Sequence, residues 1–324
     1  MTSYRQAGVD LEAADRHTDA IAASVTNTWK TEVVGRFGGF ASGVRLPDDL
    51  QDPVLMMSTD GVGTKLEVAR RAGQWDGVGF DLVAMCVDDL AAVGARPLGF
   101  VDYLAVGSLQ PTRDRKIVES IAAACIQAGC PLLGGETAEH PGVMEIDAID
   151  LAGAVMGVVD SAAALDPDRV RRGDVVIGLR SPNVRSNGFS LIRAVLGDGI
   201  VDHADTLLEP SVIYSPAVLE AVAAGGVHSA AHVTGGGLAA NLARSIPEGL
   251  GAEIDTSAWH RPDVFEMISE FGVPEAEMRR TFNLGIGFCL VVDPDAETAV
   301  TDAVSEHMPT TIGAITDGDE VVLL

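Results

Sequence analysis

The sequence has few lysines, and its overall charge is strongly negative. The 324 residues include 3 lysines and 19 arginines but 47 acidic residues, which gives a formal net charge of −25. A surface of that charge repels a phosphate backbone, so the composition argues against nucleic acid as a partner. A phosphorylated small molecule meets the same long-range repulsion. Its site would therefore have to be locally positive or recruit metal cations.

Cysteine is also scarce, and no cysteine stands in a metal-binding pattern. Each of the four lies in an apolar stretch, at positions Cys86, Cys125, Cys130 and Cys289. None forms a CxxC pair or has a histidine at ligand spacing, which argues against a zinc site. The pattern predicts buried free thiols in a reducing compartment.

Long apolar runs are missing as well. No stretch reaches the roughly 18 residues that a membrane helix needs. The N-terminal residues 1–17 lack the basic flank and the apolar core of a signal peptide. We therefore expect a cytoplasmic protein with no membrane partner.

The length and the hydrophobic content of 47% predict a globular protein of two domains. A polar stretch at 161–174 separates two halves that each mix strand and helix patterns. We therefore predict an α/β (or α+β) fold with domains 1–162 and 163–324. Further predicted elements are helices at 112–128 and 211–224 and a buried strand at 283–292.

The richest motif is TDGVGTK at 59–65, which follows an apolar segment (54–59) predicted to be a buried strand. An acid at a strand end can hold Mg²⁺, glycines let the backbone approach a ligand, and a hydroxyl and an ammonium suit phosphate oxygens. The alternative is a hairpin turn in which these are turn residues only. The functional interpretation makes Asp60 a metal ligand and gives a phosphate loop of Gly61, Gly63, Thr64 and Lys65.

Three acids lie on a mostly apolar segment, 76–94, that is predicted to be a helix. Asp81 and Asp88 are seven residues apart and share a face, and Asp89 lies about 100° further round. Carboxylates on the buried side of a helix are costly unless they are paired or bound to metal. The cluster therefore indicates function, and the alternative is that one or two of the acids point to solvent.

The segment GGETAE at 134–139 follows the strand-like CPLL. Gly134 and Gly135 are predicted to turn the chain tightly, so that Glu136 and Glu139 project near the end of that strand. Acids from three separate elements, each beside a glycine turn, indicate one Mg²⁺–nucleotide site assembled from distant parts of the chain.

A strand, a glycine-rich turn and a helix are predicted at 232–242, HVTGGGLAANL. Free N–H groups at the start of a helix favour a phosphate, and the candidate ligands are Thr234, Gly235, Gly236 and Gly237. The same glycines also fit a dinucleotide fingerprint, with Asp255 as the ribose-binding acid, but a lone match of this kind is weak. The dipeptide Gly-Lys never occurs, so there is no Walker A motif.

A polar turn, RSNGFS at 185–190, opens another predicted helix. Arg185, Ser186 and Asn187 are either an ordinary cap and turn or phosphate contacts.

Taken in order, these motifs resemble the aminoimidazole ribonucleotide synthetases. The resemblance spans residues 4–288 through Y-x-x-A-G-V-D, GRFGGF, STDGVGTK, GFDLVAMCVDDL, CPLLGGETAEHPG, RSNGFSL, HVTGGG and RTFNLGIG. It implies an enzyme that uses ATP and Mg²⁺ to close the imidazole ring of phosphoribosylformylglycinamidine. It also implies a homodimer in which strands of an N-terminal ATP-binding domain form a β-barrel across the two subunits, beside a C-terminal α/β domain.

By this resemblance Asp60 and Asp89 match Mg²⁺-coordinating acids, and Asp81 and Glu136 are weaker candidates. Lys65 matches the loop at the triphosphate, so Asp60, Lys65 and Asp89 would act in catalysis. The remaining nucleotide contacts would be Gly61, Gly63, Thr64, Gly134, Gly135, Glu136, Thr137, Arg185, Ser186, Asn187, Thr234, Gly235, Gly236 and Gly237.

Two positions depart from the family pattern. Asp88 stands where asparagine is frequent, and Arg185 stands where we expect histidine, which favours a phosphate contact over a general acid or base. His232 occupies a position where a relative in the superfamily carries an acid. Two alternatives stay open: another ATP-dependent kinase or amide-activating enzyme of the superfamily, and a nucleotide-binding module without turnover.

Overall fold

The computed structural model describes residues 10–324, so the motif at 4–10 lies, apart from Asp10, outside the described residues. No helix within 10–324 is both long and apolar enough to cross a membrane. The elements of the N-terminal half are α1 (Leu11–Thr26), β1 (Val33–Val34), β2 (Gly43–Val44), β3 (Pro53–Gly61), α2 (Lys65–Ala72), α3 (Val78–Ala92), β4 (Arg96–Val106), α4 (Pro111–Gln127), β5 (Leu132–Glu139) and β6 (Ile149–Asp160).

Four of these strands form a sheet in the order β3-β6-β4-β5, in which β4 and β5 run parallel and the other neighbours run antiparallel. Helices α3 and α4 pack on one face. The opposite face is open, and Leu55 and Met57 of β3 are 51% and 74% exposed. The prediction of a fully buried strand at 54–59 is therefore wrong, because an apolar run does not reveal whether both faces of its sheet are covered.

The two glycines of GGETAE lie inside β5 and not in the turn that the sequence suggested. The register pairs Asp102 of β4 with Gly135, and Tyr103 with Glu136. A Cβ at Gly135 would lie 2.2 Å from Asp102 Oδ1. The missing side chain at Gly135 therefore makes room for a neighbouring acid, which is a recognised use of glycine within a strand.

The C-terminal half holds a sheet in the order β12-β9-β11-β7-β10-β8. All seven residues of its strand β10 are buried, which confirms the buried strand predicted within 283–292. Its elements are β7 (Val175–Arg180), α5 (Phe189–Leu196), α6 (Ala204–Leu207), α7 (Ser215–Ala224), β8 (Val227–His232), α8 (Gly237–Ala243), β9 (Leu250–Ile254), α9 (Asp263–Glu270), α10 (Glu275–Thr281), β10 (Ile286–Val292), α11 (Glu297–Ala303), β11 (Thr310–Asp317) and β12 (Val321–Leu323).

Helix α7 begins later than the predicted 211–224. It starts at Ser215, with Pro216 in its first turn. Proline is favoured there because the N–H that it lacks has no partner within the helix.

Helix α3 lies between the two halves and positions the acids. It contacts β3 and β6 of the N-terminal half and α7 and β8 of the C-terminal half. Asp81 and Asp88 are both fully buried, as the shared helix face predicted. The predicted domain boundary at 162 falls between β6 and β7 and stays a prediction.

Candidate active site

Asp60 lies near the end of β3, where the strand gives way to the glycine turn. Its Oδ1 accepts a hydrogen bond from the backbone N–H of Gly61 at 2.7 Å. Burial raises the pKa of Asp60 above its usual range, and the negative charge of Asp89 raises it further. The two carboxylates thus lie within electrostatic reach of each other, and a cation bound beside them would relieve their repulsion.

Asp89 is held by two side chains from different strands. Ser58 Oγ of β3 donates to Asp89 Oδ2 at 2.9 Å, and His232 Nδ1 of β8 lies 2.9 Å from Asp89 Oδ1. Burial alone would raise the pKa of Asp89. The interactions with its neighbours, His232 first and then Ser58, together outweigh the burial and hold the pKa of Asp89 below its ordinary value. Asp89 therefore remains an anion, with both oxygens oriented.

The donor set suits magnesium bound together with a phosphate. Within residues 10–324 no group of three or more His, Cys, Asp or Glu side chains is arranged to hold a metal by itself. Mg²⁺, however, is commonly bound through one or two carboxylates while phosphate oxygens and water complete its shell. Asp60 and Asp89 supply two neighbouring carboxylates with oriented oxygens, so these residues fit the ion.

The glycine turn and the polar turn at 185–190 meet at one cavity. The cavity measures about 570 Å³, and residues 60–64 and 186–191 are among its walls. Thr64 Oγ1 lies 3.1 Å from Ser190 Oγ, and the N–H of Gly235 donates to Asn187 Oδ1 at 3.1 Å. The fold thus brings together the predicted phosphate residues Gly61, Gly63, Thr64, Ser186 and Asn187, with the turn at 234–237 beside them.

Lys65 does not reach this cavity. Its Nζ is fully buried and donates to Asp81 Oδ1 at 2.8 Å, to the Arg185 carbonyl at 3.1 Å and to the Glu209 carbonyl at 3.0 Å. An ammonium has three donors, so none is free for a phosphate oxygen. The geometry therefore speaks against the predicted contact of Lys65 with the triphosphate and against Asp81 as a metal ligand.

Arg185 is likewise turned inward and is not among the residues that line this cavity. Its guanidinium lies 2.7 Å from Asp88 Oδ2 and also donates to the carbonyls of Gly287 and Val212. Neither Arg185 nor Asp88 is exposed. The two departures from the family pattern are therefore partners, and the predicted phosphate contact of Arg185 is not supported by this geometry.

The segment 134–137 lines a different cavity, of about 620 Å³, together with α1 and the glycine-rich residues 36–42. This cavity shares no lining residue with the one at Asp60. The fold therefore places Glu136 beside the glycine-rich segment and not in the wall shared by Asp60 and the polar turn.

Sequence reasoning missed Asp102, which also lines the 620 Å³ cavity. Burial raises the pKa of Asp102 to about 7, and the charge of Glu136 adds to the shift. The available signal was an acid within the otherwise apolar strand LGFVDYLAV.

The contacts of Asp255 do not support the interpretation of this residue as the ribose-binding acid of a dinucleotide site. Asp255 Oδ1 accepts hydrogen bonds from the N–H and the hydroxyl of Ser257 and so stabilises its own loop. At Gly237 a Cβ would lie 2.1 Å from the Arg279 carbonyl oxygen. This glycine therefore serves close backbone packing.

The chain shares its fold with several solved structures and matches one pair of family models. Family models for AIR synthase related proteins match both halves, the N-terminal domain over residues 43–159 and the C-terminal domain over residues 171–324. Thiamine-monophosphate kinase from Stenotrophomonas maltophilia K279a has a TM-score of 0.70 at 21% identity, covering 94% of this chain and 95% of that one. Hydrogenase maturation protein HypE in complex with ATP has a TM-score of 0.66 at 20% identity, covering 95% and 88%.

Relatives with more similar sequences identify the family to which the chain belongs. Phosphoribosylformylglycinamidine cyclo-ligase from Synechococcus sp. (strain CC9605) is 47% identical over 94% of this chain and 91% of its own length. The protein of that name from Sorangium cellulosum (strain So ce56) is 47% identical over 93% and 91%. The chain belongs to the phosphoribosylformylglycinamidine cyclo-ligase family.

Proposed function

We propose that the protein catalyses the ATP-dependent cyclisation of phosphoribosylformylglycinamidine to aminoimidazole ribonucleotide, with release of ADP and phosphate, in de novo purine biosynthesis. The observation that carries the site is the pair of neighbouring carboxylates, Asp60 and Asp89, at the seam between the two halves. The names of the relatives support the reaction.

Ring closure requires the formamide oxygen to become a leaving group, because hydroxide leaves poorly from a neutral amide carbon. The formamide oxygen attacks the γ-phosphorus of ATP and ADP departs. The amidine nitrogen then attacks the activated carbon, the C–O bond breaks, inorganic phosphate leaves and the nitrogen loses a proton. Both reacting groups belong to one molecule, so much of the task of the protein is to fold that molecule into an attack geometry.

Asp60 and Asp89 would hold Mg²⁺, which when bound neutralises charge on the transferring phosphoryl group. Ser58 and His232 keep the carboxylate of Asp89 in place for that task. The hydroxyl of Thr64 and the backbone N–H of Gly63 line the adjacent cavity and would bind phosphate oxygens there.

We assign the glycine-rich segment 36–42 and residues 134–137 to the nucleotide as a second group of contacts. Their cavity, of about 620 Å³, has the size of a small-molecule site. A neighbour of the same fold was solved with ATP, and another, PurL from T. maritima, was solved with ADP. Glu136 stays a candidate metal ligand on this side.

We also propose that the protein works as a homodimer joined through the open face of the N-terminal sheet. Leu55 and Met57 of β3 and Val101 and Tyr103 of β4 expose large apolar side chains on this face, with the half-buried Met156 of β6 between the two strands. Contiguous exposed apolar side chains mark an interaction surface. A second copy laid on this face would close the two sheets into the barrel that the family resemblance implies.

A cytoplasmic location is part of the same proposal. All four cysteines are free and buried. Free thiols of this kind fit a reducing compartment.

The test is incubation of the purified protein with ATP, Mg²⁺ and phosphoribosylformylglycinamidine, with products followed by mass spectrometry. We expect ADP, phosphate and the imidazole nucleotide in equal amounts. ADP without ring closure would favour a kinase or another amide-activating enzyme, and ATP binding without any turnover would favour a nucleotide-binding module.

The variant Asp60→Asn should lower the rate by orders of magnitude while its unfolding curve stays close to that of the wild type. The exposed acid Asp52, just before the same strand, provides the matched control as Asp52→Asn. Near-normal turnover of Asp60→Asn at saturating Mg²⁺ would remove Asp60 from the mechanism.

A further inference from the structure

A chain of buried polar contacts runs from Arg185 to Asp89. The Arg185 guanidinium lies 2.7 Å from Asp88 Oδ2, and the same carboxylate oxygen lies 3.9 Å from His232 Nε2. The other ring nitrogen of His232, Nδ1, lies 2.9 Å from Asp89 Oδ1. Asp88 and His232 are both buried, whereas the side chain of Asp89 is 46% exposed. This series of contacts therefore begins in the core at Arg185 and ends at Asp89, in the proposed metal site.

The imidazole of His232 has few other contacts to fix its orientation. Nε2 is buried and has no hydrogen-bond partner within residues 10–324. The ring stacks on Phe288, with centroids 6.0 Å apart and an interplanar angle of 27°. Its direction is therefore set by this ring and by the hydrogen bond between Nδ1 and Asp89, with Asp88 Oδ2 facing Nε2 at 3.9 Å.

Arg185 acts on both of these supports. It fixes Asp88, whose Oδ1 also accepts the N–H groups of Tyr214 and Ser215. It also donates at 3.1 Å to the carbonyl of Gly287, the residue before Phe288 in β10. The guanidinium of Arg185 thus holds Asp88, which lies on one side of the His232 imidazole, and also the backbone next to Phe288, on which that imidazole stacks.

The backbone of Arg185 indicates that the position is constrained. Its φ is +58°, a conformation that residues other than glycine rarely adopt. Two side chains hold it there: Asn183 Oδ1 accepts the Arg185 N–H at 2.9 Å, and Lys65 Nζ donates to the Arg185 carbonyl at 3.1 Å. A strained residue persists only where its surroundings over-determine it, and such residues cluster at functional sites.

We propose that Arg185 is a positioning residue for the carboxylate of Asp89, acting through Asp88 and His232. The proposal rests on the proposed function only in taking Asp89 as a metal ligand. Groups that orient metal ligands change metal affinity by about 10- to 100-fold when they are removed. A pair with a purely structural role would change the stability of the protein but not its metal affinity.

The experiment measures Mn²⁺ binding to the full-length protein in the presence of ADP, by electron paramagnetic resonance, so that no turnover is needed. Arg185→Gln should weaken Mn²⁺ binding about tenfold. His232→Ala should weaken it by a similar factor. Because Arg185 is inferred to act through His232, the double variant should bind no more weakly than His232→Ala alone.

Ile268→Val serves as the control for general loss of stability, since Ile268 is fully buried in α9 of the C-terminal half. Its Mn²⁺ affinity should equal that of the wild type. Unchanged Mn²⁺ affinity in Arg185→Gln, or fully additive losses in the double variant, would overturn the proposal. Failure of the wild type to bind Mn²⁺ would overturn it together with the metal site, whereas Mn²⁺ binding without cyclisation would overturn only the proposed function.

Discussion

Lys65 Nζ lies 2.8 Å from Asp81 Oδ1, and neither side chain is exposed to solvent. Burial lowers the pKa of Lys65 and raises that of Asp81, and each charge opposes the shift of the other. The pair connects the start of α2 to α3, and Ser211 adds two hydrogen bonds to the same carboxylate oxygen. Lys65, which the sequence suggested as a phosphate ligand, thus helps to hold the two halves of the protein together.

Lys65→Met should therefore destabilise the protein by about 3–5 kcal/mol, because it leaves a buried carboxylate without its counter-ion. The double variant Lys65→Met/Asp81→Asn removes both charges and should recover much of that loss. Urea unfolding of the three proteins measures the difference. If Lys65→Met unfolds like the wild type but loses ATP affinity, the lysine contacts the triphosphate after all.

The sequence revealed most of the elements and several of the site contacts. Helix periodicity placed Asp81 and Asp88 on one buried face, and a carboxylate near the end of an apolar strand pointed to Asp60. Both are local properties, and the structure confirms these placements.

The sequence could not predict in the same way which acid each buried cation pairs with. The partners of Lys65 and Arg185 lie 16 and 97 residues away. A motif shows that a cation is present, but only the packing of α3 between the halves decides whether that cation faces solvent or a buried acid. The role of Gly135 was missed for the same reason, since its neighbour Asp102 lies on another strand.

Gly135→Ala should destabilise the protein by about 1–3 kcal/mol, because the new methyl group would overlap the side chain of Asp102. The adjacent Gly134 is the matched control, since a Cβ there would meet nothing within 4 Å. Gly134→Ala should change the free energy of unfolding by no more than about 0.5 kcal/mol. Equal losses of unfolding free energy in the two variants would mean that the space beside Asp102 is not the reason why position 135 requires glycine.

Asp102 should make stability fall as the pH rises. Its pKa is raised from 3.8 to about 7, first by burial and then by the charge of Glu136. The folded state therefore holds a proton that the unfolded state releases between these values, so stability is lost across about pH 4 to 7.

The isosteric variant Asp102→Asn removes this titration. It should match the wild type near pH 4 and be more stable at pH 8, by a few kcal/mol at most. Urea unfolding at several pH values gives the difference. The control is Asp49→Asn, because a hydrogen bond from Arg96 lowers the pKa of Asp49 and its titration ends below this range. A difference between Asp102→Asn and the wild type that does not vary with pH would contradict the assignment.

The open face of the N-terminal sheet should govern the oligomeric state. Met57 is 74% exposed on this face, on the edge strand β3, where it pairs with Met156 of β6. Placing a charge there, as in Met57→Asp, would bury an unpaired carboxylate in the proposed interface, so the dimer should dissociate at concentrations where the wild type stays associated. Met308→Asp is the control, because Met308 is 65% exposed but lies in the C-terminal half. Sedimentation velocity over a dilution series distinguishes the proteins, and a wild type that sediments as a monomer throughout would refute the proposed interface.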